Sequence, residues 1–90
     1  MVPSRPLAEV RPKYPLSARR AGFEGVVKVV VYVDEKGEVT AVRVIASSGH
    51  SSLDQAVLDA YRAARYAPAF QHGKPVASTD VWSYRFKLTE

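Results

Sequence analysis

Runs of apolar residues divide the chain into three predicted strands. Residues 26–33 are almost entirely valine, which packs well on a pleated sheet because it is β-branched. After a four-residue turn at 34–37 that ends in glycine, residues 39–46 resume the apolar pattern. A turn of this kind predicts an antiparallel hairpin. Residues 81–88 show the most regular alternation in the chain and predict a third strand.

The third predicted strand carries a row of aromatic side chains. Trp82, Tyr84 and Phe86 alternate with Ser83 and Arg85. A row with period two points to one face of the sheet, and we expect that face to pack against a helix as core. Stacking of nucleic-acid bases on the same aromatic row is the alternative.

Two helices are predicted. A short one starts at Tyr14-Pro15 and stops at Gly22, where glycine suits a helix end. A long one starts at Ser51, with Asp54 three residues later as in a capping box, and stops at Pro68. Its apolar stripe follows helical spacing and comprises Leu53, Ala56, Val57, Ala60, Tyr61 and Ala64.

The order helix, strand, strand, helix, strand predicts an α+β domain. We expect a two-layer αββαβ arrangement, in which a three-stranded antiparallel sheet packs on the long helix, with the short N-terminal helix beside it. Residues 67–79, around Gly73-Lys74-Pro75, are predicted as a loop. Residues 1–13 contain three prolines and are predicted as the extended end of a linker, so the domain itself is assigned to residues 14–90.

Composition narrows the function classes. The chain has 90 residues and no cysteine, so it is one domain without disulfides, thiolate metal sites or cysteine catalysis. No apolar run approaches the ~20 residues of a membrane span, and any targeting segment is expected outside this chain. The net charge of +4 lies mostly in residues 1–25, which composition favours as a solvated terminus. A nucleic-acid surface is one alternative for the five basic residues of this segment, but we expect no nucleic-acid partner; these residues are Arg5, Arg11, Lys13, Arg19 and Arg20.

The sequence holds no strong catalytic pattern. His50 lies among serines and near Asp54, which suggests a hydrolase triad as a further alternative, but helix capping explains the same residues. His72 is the only other histidine. We therefore expect no enzyme activity, no metal and no cofactor. The more informative feature is the sheet, because three strands leave open edges that accept an extended peptide or a second copy of the chain.

The residues also resemble a known family, the C-terminal domain of TonB, the energy transducer of Gram-negative bacteria. The resemblance runs from about Arg11 to Leu88 and depends on the order and spacing of several short motifs. These are Tyr14-Pro15, GVVKVVVYVD from Gly25 to Asp34, Gly37-Glu38-Val39, Ser47-Ser48-Gly49, Leu53-Asp54, RYAP from Arg65 to Pro68, and Phe86-Lys87-Leu88.

The resemblance implies a function in transport. Proteins of this family are anchored in the inner membrane by an N-terminal helix, act there with ExbB and ExbD, and reach across the periplasm. Their C-terminal domain binds the TonB box of outer-membrane transporters as an added strand and transmits energy from the proton-motive force for import of siderophores, haem or cobalamin. A TolA-like or other sheet-edge interaction domain is the alternative. The choice between a monomer and a homodimer formed by strand pairing stays open.

Carried over by position, the resemblance implies two groups of site residues. A secondary contact is expected at Arg11, Lys13 and Tyr14, with Arg11 at a position where the family commonly has glutamine. The strand that pairs with the TonB box comprises Thr79, Asp80, Val81, Trp82, Ser83, Tyr84, Arg85, Phe86, Lys87 and Leu88.

Overall fold

A computed structural model describes residues 1–88, and the last two residues of the predicted domain lie outside the described residues. Within residues 1–88, two helices and seven strands follow one another. They are β1 (Arg5–Pro6), α1 (Leu16–Ala21), β2 (Gly25–Val33), β3 (Val39–Ala46), α2 (Ser51–Arg62), β4 (Tyr66–Ala67), β5 (Ala69–Gln71), β6 (Lys74–Val76) and β7 (Ser78–Phe86).

The predicted three-stranded antiparallel sheet is confirmed, with the strand order β3-β2-β7. The hairpin between β2 and β3 turns through Asp34, whose Oδ1 accepts the N–H groups of Lys36 and Glu38, both at 2.9 Å. Gly37 ends the turn with a φ of 82°, a conformation that favours glycine because a Cβ atom is strained there. The hairpin therefore forms for the reasons that its sequence indicates.

Valine side chains of β2 form the centre of the core. Val27, Val29, Val31 and Val33 are buried, and they form one cluster with residues of α2, among them Leu53. α2 packs against β2 and β3. The opposite face of the sheet carries Lys28 and Arg43, which are exposed, as expected for an antiparallel sheet with one solvated side.

The helix that was predicted as long has 12 residues and ends at Arg62, well before Pro68. The chain beyond it is drawn into backbone pairing with the β2–β3 turn. Arg65 forms a bridge with Glu38, and the Tyr66 N–H donates to the Gly37 carbonyl at 3.0 Å. These bonds stop the helix earlier than proline would.

The prediction of a loop at residues 67–79 is wrong, because most of these residues belong to short strands. β5 and β6 form a hairpin whose turn residues, His72 and Gly73, both have positive φ. β4 pairs with β1 near the N-terminus. Short strands of two or three residues give too little alternation to be recognised in a sequence.

The N-terminal segment is extended, as predicted, but it is not a solvated arm. Val2 exchanges two backbone hydrogen bonds with Phe70, each 2.8 Å long, and the Leu7 N–H donates to the Arg65 carbonyl. Ser4 is buried and its Oγ accepts a hydrogen bond from Ser78. The assignment of residues 1–13 to a linker stays a prediction. Neither helix within residues 1–88 is long and apolar enough to cross a membrane.

Asp54 stabilises the start of α2 in a different way from the predicted capping box. The N-cap is His50, one residue before the predicted Ser51, and its side chain makes no capping bond. The Asp54 carboxylate instead accepts hydrogen bonds from the Ser47 and Ser48 hydroxyls and from the Ser48 N–H at 3.0 Å. Burial opposes ionisation, but these bonds outweigh it and hold the pKa of Asp54 below its ordinary value.

Replacing Asp54 with alanine is expected to lower the free energy of unfolding by about 1–3 kcal/mol, the usual effect of losing hydrogen bonds to a charged group. Because the pKa is lower in the folded state, the unfolded chain binds more protons in acid. The contribution of Asp54 is therefore present above about pH 4 and lost as the pH falls through the folded-state pKa.

Urea unfolding at pH 7 and pH 3 measures this effect, and the difference in stability between the wild type and Asp54→Ala should be smaller at the lower pH. Asp59→Ala is the matched control, because it removes an exposed acid from the same helix and is expected to change stability by less than about 0.5 kcal/mol. An equal loss for both variants at pH 7 would contradict the capping role.

Candidate functional site

The outer side of β7 is an open edge within the part of the chain that the structure describes. β7 lies at one border of the sheet and pairs with β2 along its whole length of nine residues, from Gly25↔Phe86 to Val33↔Ser78, without a register shift. An unpaired strand of this kind presents a row of N–H and C=O groups to any extended chain.

The direction of the backbone groups on β7 follows from the hairpin. N–H and C=O groups alternate between the two sides of a strand. The Asp34 N–H donates to the Glu38 carbonyl at 2.9 Å, so Asp34 and every second residue before it face β3. The intervening residues of β2 face β7, and their partners are the even-numbered residues from Ser78 to Phe86. The odd-numbered residues therefore point outwards, namely Thr79, Val81, Ser83 and Arg85.

Three side-chain hydrogen bonds agree with this alternation. The Tyr32 carbonyl accepts the Thr40 hydroxyl on the β3 side, at 3.3 Å. The Leu88 N–H, on the β2 side, donates to Glu24 Oε2 at 2.7 Å. The Val81 N–H does not join the ladder with β2 and donates instead to Asp80 Oδ1 at 3.1 Å.

The edge formed by β3, at the other border of the sheet, is less suited to strand addition. Its register against β2 shifts twice, because Thr40 is an extra residue between Val39 and Ala41, and Ile45 is an extra residue between Val44 and Ala46. Bulges twist an edge and interrupt its ladder, which blunts it against further pairing. β7 is thus the regular edge of this sheet.

The aromatic row of β7 is only partly core, which corrects the sequence-based expectation. Phe86 is buried and Tyr84 is half-buried, whereas Trp82 is 39% exposed. Phe86 is covered by Tyr14, whose ring packs on it edge-to-face at 5.1 Å. α2 packs mainly on β2 and β3, and the ring centroid of Trp82 lies 6.4 Å from that of Tyr61 on the helix. The exposed indole therefore belongs to the open edge.

A cleft lies between this part of β7 and the N-terminal segment. It has a volume of about 330 Å³ and is lined by Trp82 and Tyr61 on one side. The chain at residues 6–10 forms the other side. An extended peptide added to β7 would thus have an aromatic surface beside its backbone.

The three residues of the predicted secondary contact do not all line the same part of the surface. Tyr14 lies beside Phe86 at the end of β7, and its hydroxyl donates to the Phe23 carbonyl. Arg11 and Lys13 line a groove of about 600 Å³ against α2. Arg11 forms an exposed ion pair with Glu9 at 3.1 Å.

Beneath the edge lies a group of polar side chains that the aromatic pattern did not reveal. The side chains of Asp80 and Trp82 lie on the same face of the sheet, and the Asp80 carboxylate accepts a hydrogen bond from the indole Nε1–H. Burial and the charge of Asp80 raise the pKa of Tyr61 to about 12. The same causes raise the pKa of Tyr66, whose buried hydroxyl has no hydrogen-bond partner among the described residues. An acid in an otherwise aromatic row is the sequence signal that identifies this cluster.

The suggested triad around His50 does not assemble. The His50 ring stacks on Phe23 with centroids 4.0 Å apart, while Asp54 is bonded to Ser47 and Ser48. Within residues 1–88, no three side chains of the metal-binding types lie together. Among the described residues, the β7 edge is thus the surface best suited to binding an extended partner.

Comparison with known proteins gives a consistent result. The family model described as Gram-negative bacterial TonB protein C-terminal matches residues 10–88. Protein TonB of Vibrio cholerae is 37% identical over 81 residues, which are 90% of this chain and 33% of that protein. Protein TonB of Xanthomonas campestris is 42% identical over 66 residues, which are 73% of this chain and 30% of that protein. The chain therefore spans about a third of the length of these relatives.

A solved structure shares the fold. The solution NMR structure of the Pseudomonas aeruginosa TonB CTD superposes with a TM-score of 0.80 and 30% sequence identity. The match covers 97% of this chain and 88% of that one. The likeness thus extends over the sheet and both helices.

Proposed function

Because the chain belongs to the family of Gram-negative bacterial TonB C-terminal domains, we propose that it binds the TonB box of an outer-membrane transporter as an added strand on β7. The observation that supports this proposal is the nine-residue edge of β7, which has no register shift against β2 and pairs on its outer side with no other strand of residues 1–88. Strand addition needs backbone groups more than particular side chains. A protein with this function requires no catalytic site.

The proposal extends to the whole protein. It is anchored in the inner membrane through an N-terminal helix outside this chain, and acts with ExbB and ExbD. The domain described above lies in the periplasm. It passes energy derived from the proton-motive force to transporters that import siderophores, haem or cobalamin. A transducer of this kind is not an enzyme.

A strand-addition contact suits the transmission of force. Each backbone hydrogen bond contributes only about 0.5–1.5 kcal/mol net, so the complex releases readily when it is not under load. A pull along the added strand loads several of these bonds together. At the end of β7, the bond from the Leu88 N–H to Glu24 ties the strand to the start of β2.

Titration of the isotope-labelled domain with a TonB-box peptide tests the proposal. We expect chemical-shift changes to concentrate in residues 79–88. Within β7, the outward amides, such as Ser83, should change more than their inward neighbours, such as Tyr84, because only the outward ones gain a new acceptor.

A peptide with the same side chains but with alternate backbone nitrogens methylated is the matched control. It cannot complete the ladder and should bind at least about tenfold more weakly, since several hydrogen bonds are lost. Shift changes spread over α2, or none at millimolar peptide, would contradict the proposal. Saturable changes in β7 that depend only on protein concentration would indicate pairing of two copies instead.

A further inference from the structure

One of the four outward donors on β7 is already occupied by a side chain of the same strand. The Val81 N–H donates to Asp80 Oδ1 at 3.1 Å, and Asp80 Oδ2 accepts the Trp82 indole N–H. The Asp80 carboxylate therefore bridges two donors of the same strand, the outward-pointing Val81 N–H and the indole N–H of Trp82. Asp80 is half-buried, while Val81 is 51% exposed.

An added strand needs the same donor. Because a regular ladder uses every outward N–H, a partner that spans the middle of β7 has to bond Val81. The Asp80 carboxylate must then leave its position and lose a hydrogen bond. Natural edge strands often carry charged side chains that interfere with pairing in this way.

We propose that Asp80 is a gate on the β7 edge, which lowers the affinity for an extended peptide by competing for the Val81 N–H. This inference rests on the proposed strand-addition function and concerns the regulation of the same site. An extended chain then pairs with β7 only if its other contacts compensate for displacing the Asp80 carboxylate. A second copy of the chain meets the same barrier.

Replacing Asp80 with alanine tests the gate. We expect the variant to bind a TonB-box peptide about two- to tenfold more tightly than the wild type, the range that corresponds to one net hydrogen bond. Glu35→Ala is the matched control, because Glu35 is exposed in the β2–β3 turn and its removal changes the net charge equally. It should bind as the wild type does.

Hydrogen exchange of the free domain gives a second readout that needs no peptide. In Asp80→Ala, the Val81 amide is expected to exchange at least severalfold faster, whereas the Ser83 amide should keep its rate. Asp80→Asn retains the shape of the side chain without its charge and should show intermediate affinity. It serves in place of the alanine variant if that variant does not fold.

The outcomes separate this inference from the proposed function. Peptide binding at β7 by the wild type, with equal or weaker binding by the folded Asp80 variants, would overturn the gate and leave the proposed function intact. An unchanged exchange rate of the Val81 amide would also overturn the gate. Absence of shifts at β7 in every variant would overturn both.

Discussion

Replacing Gly37 with alanine is expected to destabilise the domain by at least about 3 kcal/mol, which is a large part of the total stability of a small domain. Gly37 has a φ of 82°. In addition, a Cβ atom at this position would overlap the Tyr66 carbonyl oxygen and lie 3.1 Å from its carbonyl carbon. Both atoms belong to the backbone, so neither can rotate away.

The close approach at Gly37 connects two parts of the fold. The Tyr66 N–H donates to the Gly37 carbonyl at 3.0 Å, and the adjacent Glu38 and Arg65 form a bridge. A methyl group there would force the β2–β3 turn away from β4. Since β4 in turn pairs with β1, the N-terminal segment would lose its support as well.

Gly73→Ala is the matched control for this prediction. Gly73 has a φ of 77°, but an added Cβ atom would meet nothing within 4 Å. Only the left-handed conformation is then strained, which costs about 1–2 kcal/mol. Urea unfolding of both variants should show a difference of at least about 1 kcal/mol. Equal losses for the two variants would show that the backbone contact between Gly37 and Tyr66 does not constrain the domain in solution.

The central sheet was predictable because its signals are local. The valine run of β2 and the turn that ends at Gly37 determine the hairpin through neighbouring residues alone. The alternation that begins at Trp82 identifies β7 in the same way. By contrast, β1 and β4 are two residues long, and each forms only because a partner about 60 positions away in the sequence, Arg5↔Ala67, is available.

The strand that forms the candidate site was predictable, but the directions of its backbone groups and its side-chain hydrogen bonds were not. A small sheet with open edges suggests strand addition, and the family resemblance selects β7. The direction of each backbone group depends on the register with β2, which is set by how the two strands pack in the folded domain and cannot be read from the local pattern of either strand. The bonds from Leu88 to Glu24 and from Val81 to Asp80 depend on it too. These two hydrogen bonds therefore cannot be predicted from the sequence pattern.

The second large effect is expected for Ser83→Pro, which should weaken binding of a TonB-box peptide at least tenfold while the domain stays folded. The Ser83 N–H points away from β2, so its loss leaves the ladder within the sheet complete. Proline is tolerated on an edge strand in this orientation. The preceding residue, Trp82, lies in a strand, which is the conformation that proline requires there.

Two effects weaken binding to the Ser83→Pro variant. The edge loses one donor, and the ring occupies space that the backbone of the added strand would fill. Ser83→Ala keeps the N–H and should bind within about twofold of the wild type, which separates the effect of losing the backbone donor from that of losing the hydroxyl.

Tyr84→Pro is the control for the direction of the backbone groups, because it removes an N–H that faces β2 and should unfold the sheet. If Ser83→Pro unfolds instead and Tyr84→Pro does not, the outward direction inferred for the odd-numbered residues is wrong. If Ser83→Pro folds and binds the peptide as tightly as the wild type, the peptide uses another surface.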